Sequence, residues 1–128
     1  MNTSEQKTSL EIKNIGRGTL ISLLLLLIGS ILIGVIVSII DFDDYLVEQA
    51  LSLFNYLVIL IGSFFTGANV SQKGWLNGAL VGLVHMLVIF LLALLLLGTA
   101  VTLGAFIMLL IGIVTGLLGG MVGININN

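Results

Sequence analysis

The stretch Lys73-Gly-Trp-Leu-Asn-Gly-Ala-Leu-Val-Gly-Leu-Val-His85 decides how this chain folds. Gly74, Gly78 and Gly82 recur every fourth residue, and His85 follows one short step later. On a helix all four fall within one narrow stripe, bare of side chain until the histidine. In lipid, apolar side chains gain little by leaving the acyl tails for one another, so bare stripes are where helix backbones approach and pack. The surrounding segments then read as whatever this helix packs against.

Those segments belong in a membrane. Hydrophobic residues make up 59% of the chain and charged residues only 8%, far outside the soluble globular range. A crossing of the hydrocarbon needs about 20 mostly apolar residues, and the chain has room for four crossings and little else. The expected spans are about 18–40, 50–69, 75–97 and 103–124, forming a single transmembrane domain over 17–128 behind a polar tail, 1–16. The tail is too short to bury a core and reads as frayed or lying at the interface. The apolar run after it is too long for a signal peptide and no small-residue cleavage site follows, so it reads as an uncleaved first helix.

The fold class expected is all-α: a four-transmembrane-helix bundle made of two antiparallel helical hairpins. Lys7, Lys13 and Arg17 precede the first span and Lys73 lies between the second and third, whereas Asp41, Asp43, Asp44 and Glu48 occupy the loop between the first and second. The positive-inside rule therefore puts both termini and the Lys73 turn in the cytoplasm and the acidic loop outside. Lys73, Trp75 and Tyr45 read as interface anchors.

Several small-residue ladders answer the opening stripe. Gly112, Gly116, Gly119, Gly120 and Gly123 cover one face of span four, Ser30, Gly34 and Ser38 form a ladder in span one, and Ser63 and Gly67 lie on the polar face of span two with Ser52, Asn55, Tyr56 and Thr66. Each could line a pore; packing against another ladder is the simpler reading. The hairpins also echo each other at one offset: Arg17-Gly18 and Lys73-Gly74 open them, while Ser63, Gly67, Asn69 and Gly119, Gly123, Asn125 close them. That pattern suggests a tandem repeat in parallel orientation.

His85 is the one titratable side chain expected deep in the bilayer, about 15 Å down its helix. An intramembrane ionisable group is by default a functional candidate, as proton relay or ligand contact. The plainer reading is a neutral imidazole satisfied from neighbouring helices, with Ser30, Ser63 and Thr115 at similar depth as the expected partners. The three aspartates could suggest a cation site, but they lack the turn glycine and distal glutamate of a calcium loop. A solvated acidic loop accounts for them.

The chain has no cysteine, which removes disulfides, thiolate metal sites and cysteine nucleophiles. There is no second acid or base to pair with His85, no phosphate loop and no metal-ligand cluster, so no enzyme, cofactor or metal is expected. A net charge of −2 gives no reason to expect nucleic acid.

The segments Gly62-Ser-Phe-Phe-Thr-Gly-Ala-Asn, Lys73-Gly-Trp-Leu-Asn-Gly-Ala-Leu-Val-Gly and Leu118-Gly-Gly-Met-Val-Gly-Ile-Asn resemble an uncharacterised family of small four-helix membrane proteins of Gram-positive bacteria. The resemblance covers all four spans and rests mostly on the Lys-Gly-Trp and Gly-Gly-Met-x-Gly-x-Asn pieces. It implies a plasma-membrane location, no assigned activity, and an association with accessory parts of the protein-export machinery.

The function expected is that of a non-catalytic structural or accessory subunit, packing on another membrane protein or on itself through glycine faces within the lipid bilayer. The alternative is a small homo-oligomeric transporter or channel using the polar face of span two and His85. Four-helix drug exporters of this size have a membrane-embedded glutamate in the first span. This chain has Ser30 and Gly34 there instead.

Overall fold

A computed structural model describes residues 11–98 and 102–127, with side chains to residue 126. It contains four helices: α1 (Ile12–Ile39), α2 (Asp44–Asn69), α3 (Gly74–Leu97) and α4 (Leu103–Asn127). All four are long and apolar enough to cross a membrane. An uninterrupted helix is the natural state of such segments, because in hydrocarbon every backbone N–H and C=O must find its partner within the segment, and no proline breaks the ladder.

Two helix starts differ from expectation. The first helix begins at Ile12 rather than near Gly18, so the expected tail loses its last residues to α1; its portion before Glu11 lies outside the described residues. Contacts at the helix start explain the extension. The Glu11 carboxylate accepts from Ser71 N (2.9 Å), Ser71 Oγ (3.2 Å) and Asn14 Nδ2 (3.1 Å), and Glu11 N donates to Asn77 Oδ1 (2.8 Å). Thr66 Oγ1 donates to Asn14 O (2.7 Å). The first turns of α1 are thus bound to the α2–α3 turn. The second helix begins at Asp44 rather than near residue 50, taking Glu48 into the helix and leaving a short connection after Ile40. A carboxylate in the first turn favours that start electrostatically.

The ends of α3 use left-handed backbone. Lys73 adopts φ 53° just before Gly74, and Asn77 Nδ2 donates back to Lys73 O (2.9 Å), bracing the turn. Gly98 takes φ 64° and donates its N–H to Leu94 O, closing the helix as glycine does at low cost. Thr99, Ala100 and Val101, the middle of the expected turn between spans three and four, lie outside the described residues.

The helices pack as a rhombus. Helices α2 and α3 touch across the short diagonal, while α1 and α4 sit at the far corners and, among the described residues, do not meet. Leucine faces outward almost everywhere, and the interior is made of small and polar groups: Ser22, Ser63, Thr66, Asn77 and His85 are fully buried beside Val58, Ile59, Val81 and Met86.

Glycine sets the distances. Gly78 faces the Gly116 carbonyl, Gly82 that of Gly112, and a methyl group on Gly74 would stand 2.6 Å from Gly120 O. Backbones so close make weak Cα–H···O contacts and dense dispersion along the α3–α4 seam. Helix α1 meets α2 the same way, Gly18 against Gly62 and Thr66, with Gly62 against Ser22.

The α2–α4 seam has a near-twofold pattern. Gly67 faces the carbonyl of Gly120, Gly123 faces that of Phe64, and Ser63 meets Gly119 between them. Pairing 63 with 119, 64 with 120 and 67 with 123 interchanges the two glycine contacts, at the offset of the sequence echo. The pattern stops there, because α2 touches α3 whereas, among the described residues, α1 does not touch α4.

One expected ladder is not a packing face. Gly34 has nothing within 4 Å of where a Cβ would stand, and Ser38 is exposed with Oγ bonded to Val35 O in its own helix. This half of α1 turns a different side to α2, that of Gly29, Ile33 and Ile36. The Phe54 ring lies against Gly29, filling with side chain the place where backbones meet further down. Beyond it the space between α1 and α2 is an apolar cleft lined by Ile33, Ile36, Val37, Phe42 and Leu46 among others.

Candidate functional site

Polar groups from three helices meet at His85. Helix α3 carries the ring, one turn beyond Gly82, into the space between α1 and α2, where no part of it is solvent-accessible. Its Nδ1 lies 2.7 Å from Ser22 Oγ on α1, and its Nε2 lies 2.9 Å from Asn55 Oδ1 on α2. Asn55 Nδ2 is 3.5 Å from the Met86 sulfur, and Ser22 Oγ is 2.8 Å from Thr19 O. One imidazole therefore ties three helices together, roughly 16 Å along α3 from Gly74 and near the middle of the hydrocarbon.

Donor counting fixes the arrangement. Asn55 presents its carbonyl to the ring, so Nε2 bears a proton and donates it. In the neutral ring Nδ1 is then an acceptor, and the Ser22 hydroxyl has one proton for two acceptors, Nδ1 and Thr19 O. Among the described residues every acid lies on the connections or near the helix ends, away from His85. No group of three or more His, Cys, Asp or Glu among them could hold a metal ion. Chemically, the chain Ser22–His85–Asn55–Met86 is a hydrogen-bonded staple.

The partners differ from those expected. Ser63 Oγ donates to Leu60 O (3.0 Å) and lies against Gly119; Thr115 Oγ1 donates to Ile111 O (2.8 Å). Ser30 lines an apolar cleft between α1 and α3 with Leu26, Leu27, Val88 and Leu92. None of the three reaches the imidazole. The sequence signal for Ser22 is its spacing of four from Gly18, on a different side of α1 from the Ser30 ladder. Asn55 belonged to the polar face already marked on span two.

The other singled-out residues lie at the ends. Lys73 and Trp75 are exposed at the end of the bundle that holds the start of α1, and Tyr45 is exposed at the opposite end, beside Asp43 and Asp44. Tyr56 Oη contacts Met108 O at 3.5 Å, at the edge of hydrogen-bonding range, linking the α2 polar face to α4. Thr19 Oγ1 is the one buried side-chain polar atom among the described residues that lacks a hydrogen-bond partner.

Comparison with known proteins agrees with this membrane architecture. Residues 11–123 match the model of a family described as protein of unknown function, DUF3792. The chain is 30% identical over 129 residues to the uncharacterized membrane protein YrzE of Bacillus subtilis strain 168, covering 97% of this chain and 86% of that protein. No solved structure matches it. A match over nearly the whole bundle, together with four membrane-spanning helices, makes this chain a member of the DUF3792 family of uncharacterised multi-pass membrane proteins.

Proposed function

We propose that the protein is a non-catalytic structural or accessory subunit of the plasma membrane, acting by packing against another membrane protein or a second copy of itself. The observation that carries this reading is how the polar groups of the interior are used. His85 is held between Ser22 and Asn55, Thr66 binds Asn14 O, and among the described residues no second acid or base converges on the ring. Catalysis needs at least two convergent groups, and conduction needs polar groups facing a water path. Here they face one another across helices that nearly touch. The same reading places the Lys73 end and both termini in the cytoplasm, because Lys13, Arg17 and Lys73 lie at one end and Asp41, Asp43, Asp44 and Glu48 at or near the other.

Mild detergent extraction of the tagged full-length protein, with identification of what accompanies it, tests the reading. A subunit emerges in a complex of defined size, with a larger membrane protein or with itself, and the reconstituted protein shows no solute flux. A defined homo-oligomer whose liposome flux is lost in His85→Leu would establish the transporter reading instead. If the resemblance to proteins encoded beside export accessories reflects a shared assembly, the accompanying protein belongs to that machinery.

A further inference from the structure

We propose that Lys13 and Arg17 form a binding site for the phosphodiester of an anionic phospholipid in the leaflet at the Lys73 end of the bundle. Both side chains are exposed, four residues apart on α1, on the side of the helix away from buried Ile15, Gly18, Thr19 and Ser22. Neither makes a hydrogen bond or ion pair with another described residue. The one acid beside them among the described residues, Glu11, is engaged by Ser71 and Asn14 and turned toward the α2–α3 turn. Two like charges one helical turn apart repel each other, and among the described residues nothing offsets that repulsion.

Position identifies the anion. From Gly18 to Ile40 no charged residue interrupts α1, and at 1.5 Å per residue this run is about 34 Å long, close to the hydrocarbon thickness of about 30 Å. Arg17 therefore stands at the edge of the hydrocarbon and Lys13 about 6 Å further out, one on each side of the layer where lipid phosphates lie. Between them Gly16 is exposed, with nothing within 4 Å of where a Cβ would be. A headgroup can approach the helix backbone there while both cations reach its oxygens. The zwitterionic lipids have their own ammonium to neutralise the phosphate; an anionic lipid does not, so it is the one selected.

The test uses full-length protein reconstituted in phosphatidylcholine vesicles doped with spin-labelled phosphatidylglycerol or spin-labelled phosphatidylcholine, reading the motionally restricted fraction of each. The wild type should restrict the anionic probe about fivefold more than the zwitterionic one, the preference expected of one cation near the surface, and more if both engage. Lys13→Gln/Arg17→Gln should bring the ratio near one. The charge-conserving Lys13→Arg/Arg17→Lys should keep it, and so should Lys73→Gln, which removes a charge at the same end outside the pair. An unchanged ratio in the double glutamine variant overturns the proposal. So does an equal loss in Lys73→Gln, which would reveal a general field rather than a site, and so does displacement of the probe by soluble glycerol phosphate, which would reveal a site for free phosphate.

Discussion

Ser22 on α1 and His85 on α3 lie 63 positions apart in sequence and 2.7 Å apart in the interior, Oγ to Nδ1. This contact and the opposite one, from Nε2 to Asn55, make the ring a joint between the two hairpins. Without it, α1 is attached chiefly through its seam with α2 and the Glu11 contacts.

The joint predicts a graded response at position 85. His85→Gln keeps a donor and an acceptor and can serve one partner, so stability should fall by about 1 kcal/mol or less. His85→Leu leaves the half-buried Asn55 Oδ1 without its donor and should cost about 1–3 kcal/mol. Unfolding in bicelles by increasing SDS measures both. A leucine variant as stable as wild type would show that the ring contributes packing alone.

Thr19 and Ser22, one turn apart on the same buried face, should respond oppositely. Thr19 Oγ1 has no partner, so Thr19→Val removes a buried hydroxyl that gains nothing and should leave stability unchanged or raise it by up to about 1 kcal/mol. Ser22→Ala removes a group that bonds the imidazole and should lower stability by about 1 kcal/mol. The comparison within the same assay cancels differences in lipid and detergent. Equal losses would contradict the assignment of roles.

The glycine ladders separate in the same manner. Gly78→Ala puts a methyl group against Gly116 O and within 2.7 Å of Gly120 Cα, backbone that can yield only if the helices part, and should cost about 1–3 kcal/mol. Gly34→Ala meets nothing and removes a glycine from a helix interior, so it should be neutral or stabilising by up to about 1 kcal/mol. A Gly34→Ala variant that loses stability or self-association would reveal a contact made by the outer half of α1 with another molecule.

That contrast also shows what periodicity conveys. Gly74, Gly78 and Gly82 and the answering glycines of span four can be matched in sequence because two ladders face each other at the same depth. Ser30, Gly34 and Ser38 have the same spacing, but a ladder packs only where a small-faced helix stands opposite it, and the side of α1 turned to α2 is that of Gly29, Ile33 and Ile36, against Phe54 and Leu46. Four-residue spacing marks a bare stripe; the neighbour decides whether it is filled. The His85 partners followed the same logic. Depth alone selected Ser30, Ser63 and Thr115, whereas the side of each helix that turns inward selected Ser22 and Asn55. The Glu11 contacts were out of reach of pattern reading, since a lone polar residue before a span carries no period.

Those contacts predict that the first turns of α1 depend on position 11. Glu11→Gln retains a carbonyl oxygen for Ser71 N, and exchange of the first hydrogen-bonded amides, 15–17, should stay slow. Glu11→Ala loses every side-chain contact to Ser71 and Asn14, and exchange there should quicken by about an order of magnitude, the equivalent of 1.4 kcal/mol. Backbone contact with Asn77 Oδ1 persists in both variants, so the difference isolates the side-chain acceptor at position 11. Equal exchange in the two variants would mean that the Asn77 and Thr66 contacts suffice to hold the helix start.

Orientation is open to direct chemical reading because the chain has no cysteine. The proposed topology assigns Asp43 and Gln72 to opposite faces of the membrane, one in the acidic connection before α2 and the other in the turn between α2 and α3. Both positions are exposed, so single cysteines there should react readily wherever reagent has access. In intact cells a membrane-impermeant maleimide should label Asp43→Cys and leave Gln72→Cys and Asn125→Cys unlabelled until the membrane is permeabilised. Asn125 serves as the check on hairpin parity, since α4 ends beside the start of α3, where Gly74 meets Ile124. Labelling of Gln72→Cys and Asn125→Cys from outside, with Asp43→Cys protected, would invert the topology and show that four basic residues do not set its direction. Labelling of Gln72→Cys and Asn125→Cys from opposite sides would be incompatible with the bundle itself.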